Sequence, residues 1–216
     1  METQGLQDSG NGQESTETLK VLHSGNCSRK DNDEARGRSN LFKHEIEAVC
    51  KSIQKGSRHA IRDELAVLMT YHHGLRASEC VDLKWQHIDL KTRQVHIKRK
   101  KDGVDSVHPI TSKREVQLLN KLYKEQGKPT SGFVFNTERK TPMSVNGLQK
   151  MFAAFSEKAL KVKWNIHALR HSCGTDLVSK GHHLRTIQYW LGHKNIQNTT
   201  IYLAMSPDRF ANIEWD

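Results

Sequence analysis

Between Gln94 and Ile110 the apolar spacing of the chain switches from helical to alternating, and beyond Ile110 it switches back. Before the switch, Phe42, Ile46, Val49, Cys50 and Ile53 fall on one helical face, and Ile61, Leu65, Leu68 and Met69 on another. After it, Leu148, Met151, Phe152, Phe155 and Leu160 repeat the pattern. Intervals of three and four residues place such side chains on one stripe of a helix. Inside the switch, Gln94–Lys98 alternates around Val95 and Ile97, and Val104–Ile110 alternates around Val107. Lys100-Lys101-Asp102-Gly103 lies between the two runs. Asp-Gly between alternating segments is a strong hairpin signal. The chain is therefore expected to be α+β, mainly helical, with one small antiparallel β-sheet.

Punctuation residues set the expected boundaries. Ser39 and Asn40 cap the first helix and Gly56 stops it. A second helix runs from about Arg58 to His73, with Gly74 as its C′ residue. Leu75–Ile88 reads as a further short helix with Cys80, Leu83 and Trp85 inward. Pro109 closes the second strand. Ser112 and Glu115 form a capping box for a helix over Lys113–Gln126. Phe133-Val134-Phe135 is long enough only for an edge strand. Ser144 starts another helix, and His167–Lys180 is helical again. Gly181 and Gly192 bracket a short helix at Leu184–Leu191, and a last helical turn carries Tyr202. No internal repeat is visible.

The charge of the chain is unevenly placed. Its 216 residues carry a formal net charge of +10. The first 40 hold seven acids and five bases, so that segment is −2 and residues 41–216 are +12. The leading segment is rich in Gly, Ser, Asn, Gln and Glu, and buries too little apolar surface to offset its ordering entropy. The expected organisation is a disordered polar tail over residues 1–38 and one basic domain over 39–216. A basic domain suits a polyanionic partner. No run approaches the ~20 apolar residues of a membrane span. Met1–Gly12 has no apolar signal core. The four cysteines (Cys27, Cys50, Cys80, Cys173) form no CxxC pair, which disfavours zinc ribbons and disulfide scaffolds. A reducing cytoplasm is the expected compartment.

Five features stand out in order: Gly74-Leu75-Arg76-Ala77-Ser78-Glu79, the basic hairpin Lys98-Arg99-Lys100-Lys101, Asn165-Ile166-His167-Ala168-Leu169-Arg170-His171-Ser172-Cys173-Gly174, Tyr189-Trp190-Leu191-Gly192-His193, and Thr200-Ile201-Tyr202. Their order and spacing resemble the tyrosine recombinase (phage integrase) family, from about residue 40 to the C-terminus. Arg-His-Ser-Cys-Gly and the Asp208-Arg209-Phe210 ending are most similar to the short recombinases that invert a fimbrial switch. The resemblance implies that family's catalytic-domain fold. It also implies a site-specific DNA recombinase that cleaves and rejoins strands through a covalent 3′-phosphotyrosine, for integration, excision or inversion.

The chemistry can be argued from the residues themselves. Breaking a phosphodiester without a metal or nucleotide cofactor requires fixed donors aimed at the non-bridging oxygens, where charge gathers. Arg76 and Arg170 suit this, because a guanidinium bonds two oxygens at once and stays charged. Glu79, one turn from Arg76, orients it rather than reacts. Tyr202 is the candidate nucleophile; its hydroxyl, with an ordinary pKa near ~10, needs a neighbour to take its proton. His167 is the candidate general base and His193 the candidate phosphate donor. The family resemblance places the general acid for the leaving 5′-oxygen in the hairpin. Counting back from Pro109 gives Lys101, with Lys100 and Lys98 as competing registers, since one residue flips the face of a strand. Lys98, Arg99, Lys100, His171 and Lys194 are expected to contact DNA. A metal reading of His167, His171, His182 and His183 is disfavoured, because no carboxylate or cysteine cluster joins them and Arg170 repels a cation. No cofactor is expected.

The expected partners are double-stranded DNA bearing specific recombination sites, further copies of the chain in a homotetramer, and an accessory DNA-bending protein. No membrane is expected, and the resemblance points to a bacterial, phage or mobile-element source. Longer family members carry an N-terminal clamp domain, for which the polar tail is too short. Phe210, Ile213 and Trp215 could dock on a neighbouring subunit or on their own domain. The competing functions are relaxation of DNA in the manner of a type IB topoisomerase, a catalytically silent DNA-binding regulator, and a nucleic-acid packaging protein.

Overall fold

The computed structural model describes residues 37–100 and 103–205. Nearly all of the expected tail, the candidate acid Lys101, and Phe210, Ile213 and Trp215 lie outside these residues. Eight helices and three strands follow one another among the described residues: α1 (Lys43–Gly56), α2 (Ala60–His72), α3 (Ala77–Val81), a 3₁₀ turn (Trp85–His87), β1 (Ile88–Asp89), β2 (Gln94–Ile97), β3 (Ser106–Pro109), α4 (Lys113–Glu125), α5 (Val145–Leu160), α6 (His167–Ser179), α7 (Leu184–Leu191) and α8 (Gln197–Met205). The mainly helical α+β expectation holds, with the sheet in the order β1-β2-β3, antiparallel throughout.

Helix α2 is central. It packs against α1, α4 and α6, and Leu65, Ala66, Val67, Met69, Thr70 and Tyr71 are all buried. Helix α6 is buried along Ala168, Leu169, Arg170, Ser172 and Cys173 and touches α2, α7 and α8. The Ser172 hydroxyl accepts the N–H of Leu41 at 2.8 Å, so the chain entering α1 is tied to the motif helix.

Four details differ from the sequence expectation. Helix α1 starts after Phe42, whose N–H donates to the Glu45 carboxylate at 2.8 Å. Phe42 is 50% exposed rather than inward, because the Arg38 guanidinium covers its ring at 4.2 Å. The Leu75–Ile88 helix is only Ala77–Val81 plus the 3₁₀ turn, since the Leu83 carbonyl accepts the Val134 N–H and the Trp85 N–H donates to the Gly132 carbonyl, both 2.9 Å, across to the loop at 132–134 instead. Finally, strand β3 points the other way. Val95 pairs with His108, so the buried Val95 face draws His108 inward and leaves Val107 51% exposed. Cross-strand partners share a face.

Candidate active site

Glu79 is the hub of the site. It occupies the third position of α3, where its carboxylate reaches back to the N–H of Arg76 at 2.9 Å. That bond makes Arg76 the residue before the helix and fixes its backbone. The other oxygen accepts Arg76 Nη1 at 2.6 Å and the Lys100 N–H at 3.2 Å. Arg99 Nη1 donates to the first oxygen at 2.9 Å, and Arg170 Nη1 stands 4.0 Å from it. Three guanidinium groups thus surround one carboxylate. Burial raises the Glu79 pKa, but Arg99 and the donated hydrogen bonds lower it more, and the net shift is downward.

The three arginines differ in what they can reach. The Arg76 side chain is 21% exposed. Arg170 is buried, and its two terminal nitrogens donate to the carbonyls of Gly74 and Leu191. Burial and the Arg76 charge push its pKa down to about 10, so it remains a cation at neutral pH. Arg99, expected on the DNA surface, is in the interior with a fully buried side chain. Besides Glu79 it donates to the carbonyls of Gly74 and His73 at 3.3 and 3.2 Å, and to that of Trp190. Two further contacts hold it there. The Arg99 N–H is held by Asp105 at 2.8 Å, and Gly192, at φ +66°, leaves room for the Arg99 stem; a Cβ there would meet Arg99 Cγ at 2.7 Å.

Helix α8 brings Tyr202 onto α6. Its ring is 2% exposed and lies parallel to that of His193, with centroids 6.4 Å apart. The His171 ring is 5.8 Å away on a tilt. Burial pushes the Tyr202 pKa up to about 12, with Arg170 and Arg76 opposing the shift. His193 Nδ1 meets the buried Thr199 hydroxyl at 2.9 Å, and its backbone carbonyl accepts Gln188 Nε2 at 3.0 Å. Burial, then Arg170 and Arg76, push the His193 pKa down to about 3. It is therefore a neutral imidazole at pH 7.

The other expected residues are placed as follows. The His167 ring makes an edge-on contact with His171 at 5.5 Å, so His171 touches both His167 and Tyr202. Lys98 is exposed and paired with Asp105 at 3.0 Å, and Lys100 pairs with Asp82. Lys194 is exposed. His183 caps α7 by accepting the N–H of Arg185 at 3.2 Å. Among the described residues no three His, Cys, Asp or Glu side chains are grouped so as to hold a metal ion. Sequence reasoning missed Thr199 and Gln188. Thr199 stands three residues before Tyr202, one helical turn away, which was a usable signal. The interior position of Arg99 had none.

Comparison with known proteins agrees with this geometry. The chain is 35% identical over 190 residues to the type 1 fimbriae regulatory protein FimB of Escherichia coli strain K12, covering 87% of this chain and 94% of that protein. The crystal structure of XerA recombinase superposes with a TM-score of 0.71 at 19% identity, over 82% of this chain and 66% of that one. The XerH site-specific recombinase bound to palindromic difH substrate superposes with a TM-score of 0.67 at 24% identity, over 79% and 51%. The chain thus spans about half to two thirds of the length of these solved relatives. Residues 39–209 match the sequence model of the phage integrase family, and with the close likeness to FimB this establishes that the chain belongs to that family, the tyrosine recombinases.

Proposed function

We propose that this protein is a site-specific DNA recombinase, that residues 39–216 are its catalytic domain, and that Tyr202 is its nucleophile. The observation that carries the reading is the packing of the Tyr202 ring against His193 beside Arg76 and Arg170. Two guanidinium groups offset the charge that gathers on the non-bridging oxygens. The Tyr202 oxygen bonds to phosphorus, the bond from phosphorus to the 5′-oxygen breaks, and the strand is left as a 3′-phosphotyrosine. Reversal rejoins the strand with no cofactor.

The proton of Tyr202 passes to a histidine. His193, neutral and in ring contact with Tyr202, and His167, reached through His171, are the two acceptors. An arriving phosphate offsets the arginine charges that depress His193, and so makes it a better base. Lys101 supplies the proton of the leaving 5′-oxygen, and the surface cations Lys98, Lys100 and Lys194 contact the DNA backbone. The protein works on paired sites as a homotetramer, with an accessory DNA-bending protein, in the bacterial cytoplasm. The palindromic substrate of the XerH relative supports action by symmetric copies.

The test is capture of covalent adducts from a pool of nicked duplexes with a randomised core, each releasing a short 5′-fragment on cleavage. Adducts resistant to denaturant, with one enriched core sequence, are expected from the native protein and not from Tyr202→Phe. No adduct from the whole pool, or one surviving in Tyr202→Phe, refutes the reading.

A further inference from the structure

Arg99 lies on the hairpin, yet it binds the segments that carry two of the phosphate-site residues. Its guanidinium joins Glu79, the carbonyls of His73 and Gly74 just before Arg76, and the carbonyl of Trp190 three residues before His193. Gly74 also accepts from Arg170, so one carbonyl is shared by both buried arginines. Arg76 Nη1 and the Lys100 N–H converge on the Glu79 oxygen that Arg99 leaves free. Without Arg99, Glu79 keeps only the more distant Arg170, at 4.0 Å, as a buried counter-charge, and its short pair with Arg76 would compete with any phosphate for the Arg76 fork. With Arg99 in place, the carboxylate is neutralised from behind. Arg76 is then held by one nitrogen while the rest of its fork stays available.

We infer that Arg99 is a positioning residue for strand cleavage, sharing the Glu79 carboxylate so that Arg76 is oriented toward the scissile phosphate without being neutralised. This rests on the recombinase reading above. It assigns Arg99 no contact with DNA, in contrast to the surface role its place in a run of bases suggests. A misplaced group at a reacting centre costs about 10²-fold in rate, and that is the loss expected for Arg99→Met.

The experiment measures adduct formation on the duplex recovered from the randomised pool, and on the same duplex with a methylphosphonate at the cleaved position. A methylphosphonate lacks the negative charge that Arg76 serves. Arg99→Met is expected to fall about 10²-fold on phosphate and to come within a few-fold of the native protein on methylphosphonate, the pattern also expected of Arg76→Ala. In a Tyr202→Phe background its DNA affinity should keep the native salt dependence, whereas Lys98→Ala should lower the slope by about 1. Because Arg99→Met takes away the nearer buried partner of Glu79 and can lose its fold, the double variant Glu79→Gln with Arg99→Met, in which a neutral side chain no longer competes for the Arg76 fork, is measured beside it and is expected to cleave phosphate faster than Arg76→Ala. Equal losses on both substrates, a double variant no faster than Arg76→Ala on phosphate, or a reduced salt slope for Arg99→Met overturns the inference. If the native protein itself forms no adduct, the recombinase reading fails first and takes the inference with it.

Discussion

Replacing Gly174 by Ala is the sharpest way to ask whether Tyr202 rests where the structure puts it. Gly174 lies inside α6, and a Cβ there would stand 2.7 Å from three carbons of the Tyr202 ring. An ordinary contact begins at 3.4 Å, so the ring must retreat by about 0.7 Å or leave. Elsewhere in a helix, Gly to Ala stabilises by about 0.5–1 kcal/mol. Overpacking a filled site costs about 1–3 kcal/mol. The two effects oppose, and the net expectation is a destabilisation of about 0–2.5 kcal/mol. In a Tyr202→Ala background the three atoms nearest that Cβ are gone, and the same change should stabilise by about 0.5–1 kcal/mol. Urea unfolding of the four proteins in this cycle gives the sign directly. Spectrophotometric titration adds a second reading: a displaced Tyr202 should ionise below its present value of about 12, toward the ordinary ~10. Stabilisation by Gly174→Ala in both backgrounds, with the Tyr202 titration unmoved, would refute the placement of Tyr202 on α6.

Three further outcomes follow from buried polar groups. His108 and His193 have pKa values pushed down to about 2 and about 3, chiefly by burial, so the unfolded chain takes up protons that the folded one does not. Stability should be full above the unfolded value near ~6.5 and fall below it by about 1.4 kcal/mol per pH unit for each histidine; His193→Gln should show a shallower fall in urea midpoints. Glu115 is buried, which raises its pKa, but His73 and His72 outweigh this and hold it at about 2. His72 Nδ1 donates to Glu115 Oε2 at 3.1 Å, while His73 Nε2 lies 3.3 Å from Glu115 Oε1 without hydrogen-bond geometry. Its contribution should be full above about pH 4.5 and vanish as pH falls toward 2, and Glu115→Gln should flatten that stretch of the profile. Ser172→Ala leaves the buried Leu41 N–H without its acceptor, and should cost about 1–3 kcal/mol in thermal or urea unfolding.

Much of this fold is legible in the sequence because its signals are local. Gly74 and Gly192 end helices with φ of +58° and +66°, and Ser144 caps α5 through the Gly147 N–H at 2.9 Å. The order of Arg76, His167, Arg170, His193 and Tyr202 likewise carried the family. What was not legible depends on partners far along the chain. Val107 and His108 exchanged faces because the sheet register is set by the pairing of Val95 with His108, across a connection longer than the Asp-Gly signal suggests. Phe42 turned outward because Arg38 stacks on it. Arg99 looked like one base among four, and only the convergence of three distant segments on Glu79 explains its burial. Charge runs report solvation on average; they do not say which member finds a buried carboxylate.

The central claim is that Tyr202 attacks the scissile phosphate. The direct measurement is proteolysis of the captured protein–DNA adduct, followed by mass spectrometry of the peptide that retains a nucleotide. The expected result is a 3′-phosphoryl group on Tyr202, with a free 5′-hydroxyl on the released strand. A nucleotide on Tyr71, Tyr123 or Tyr189, or a linkage through the 5′-phosphate, would contradict it.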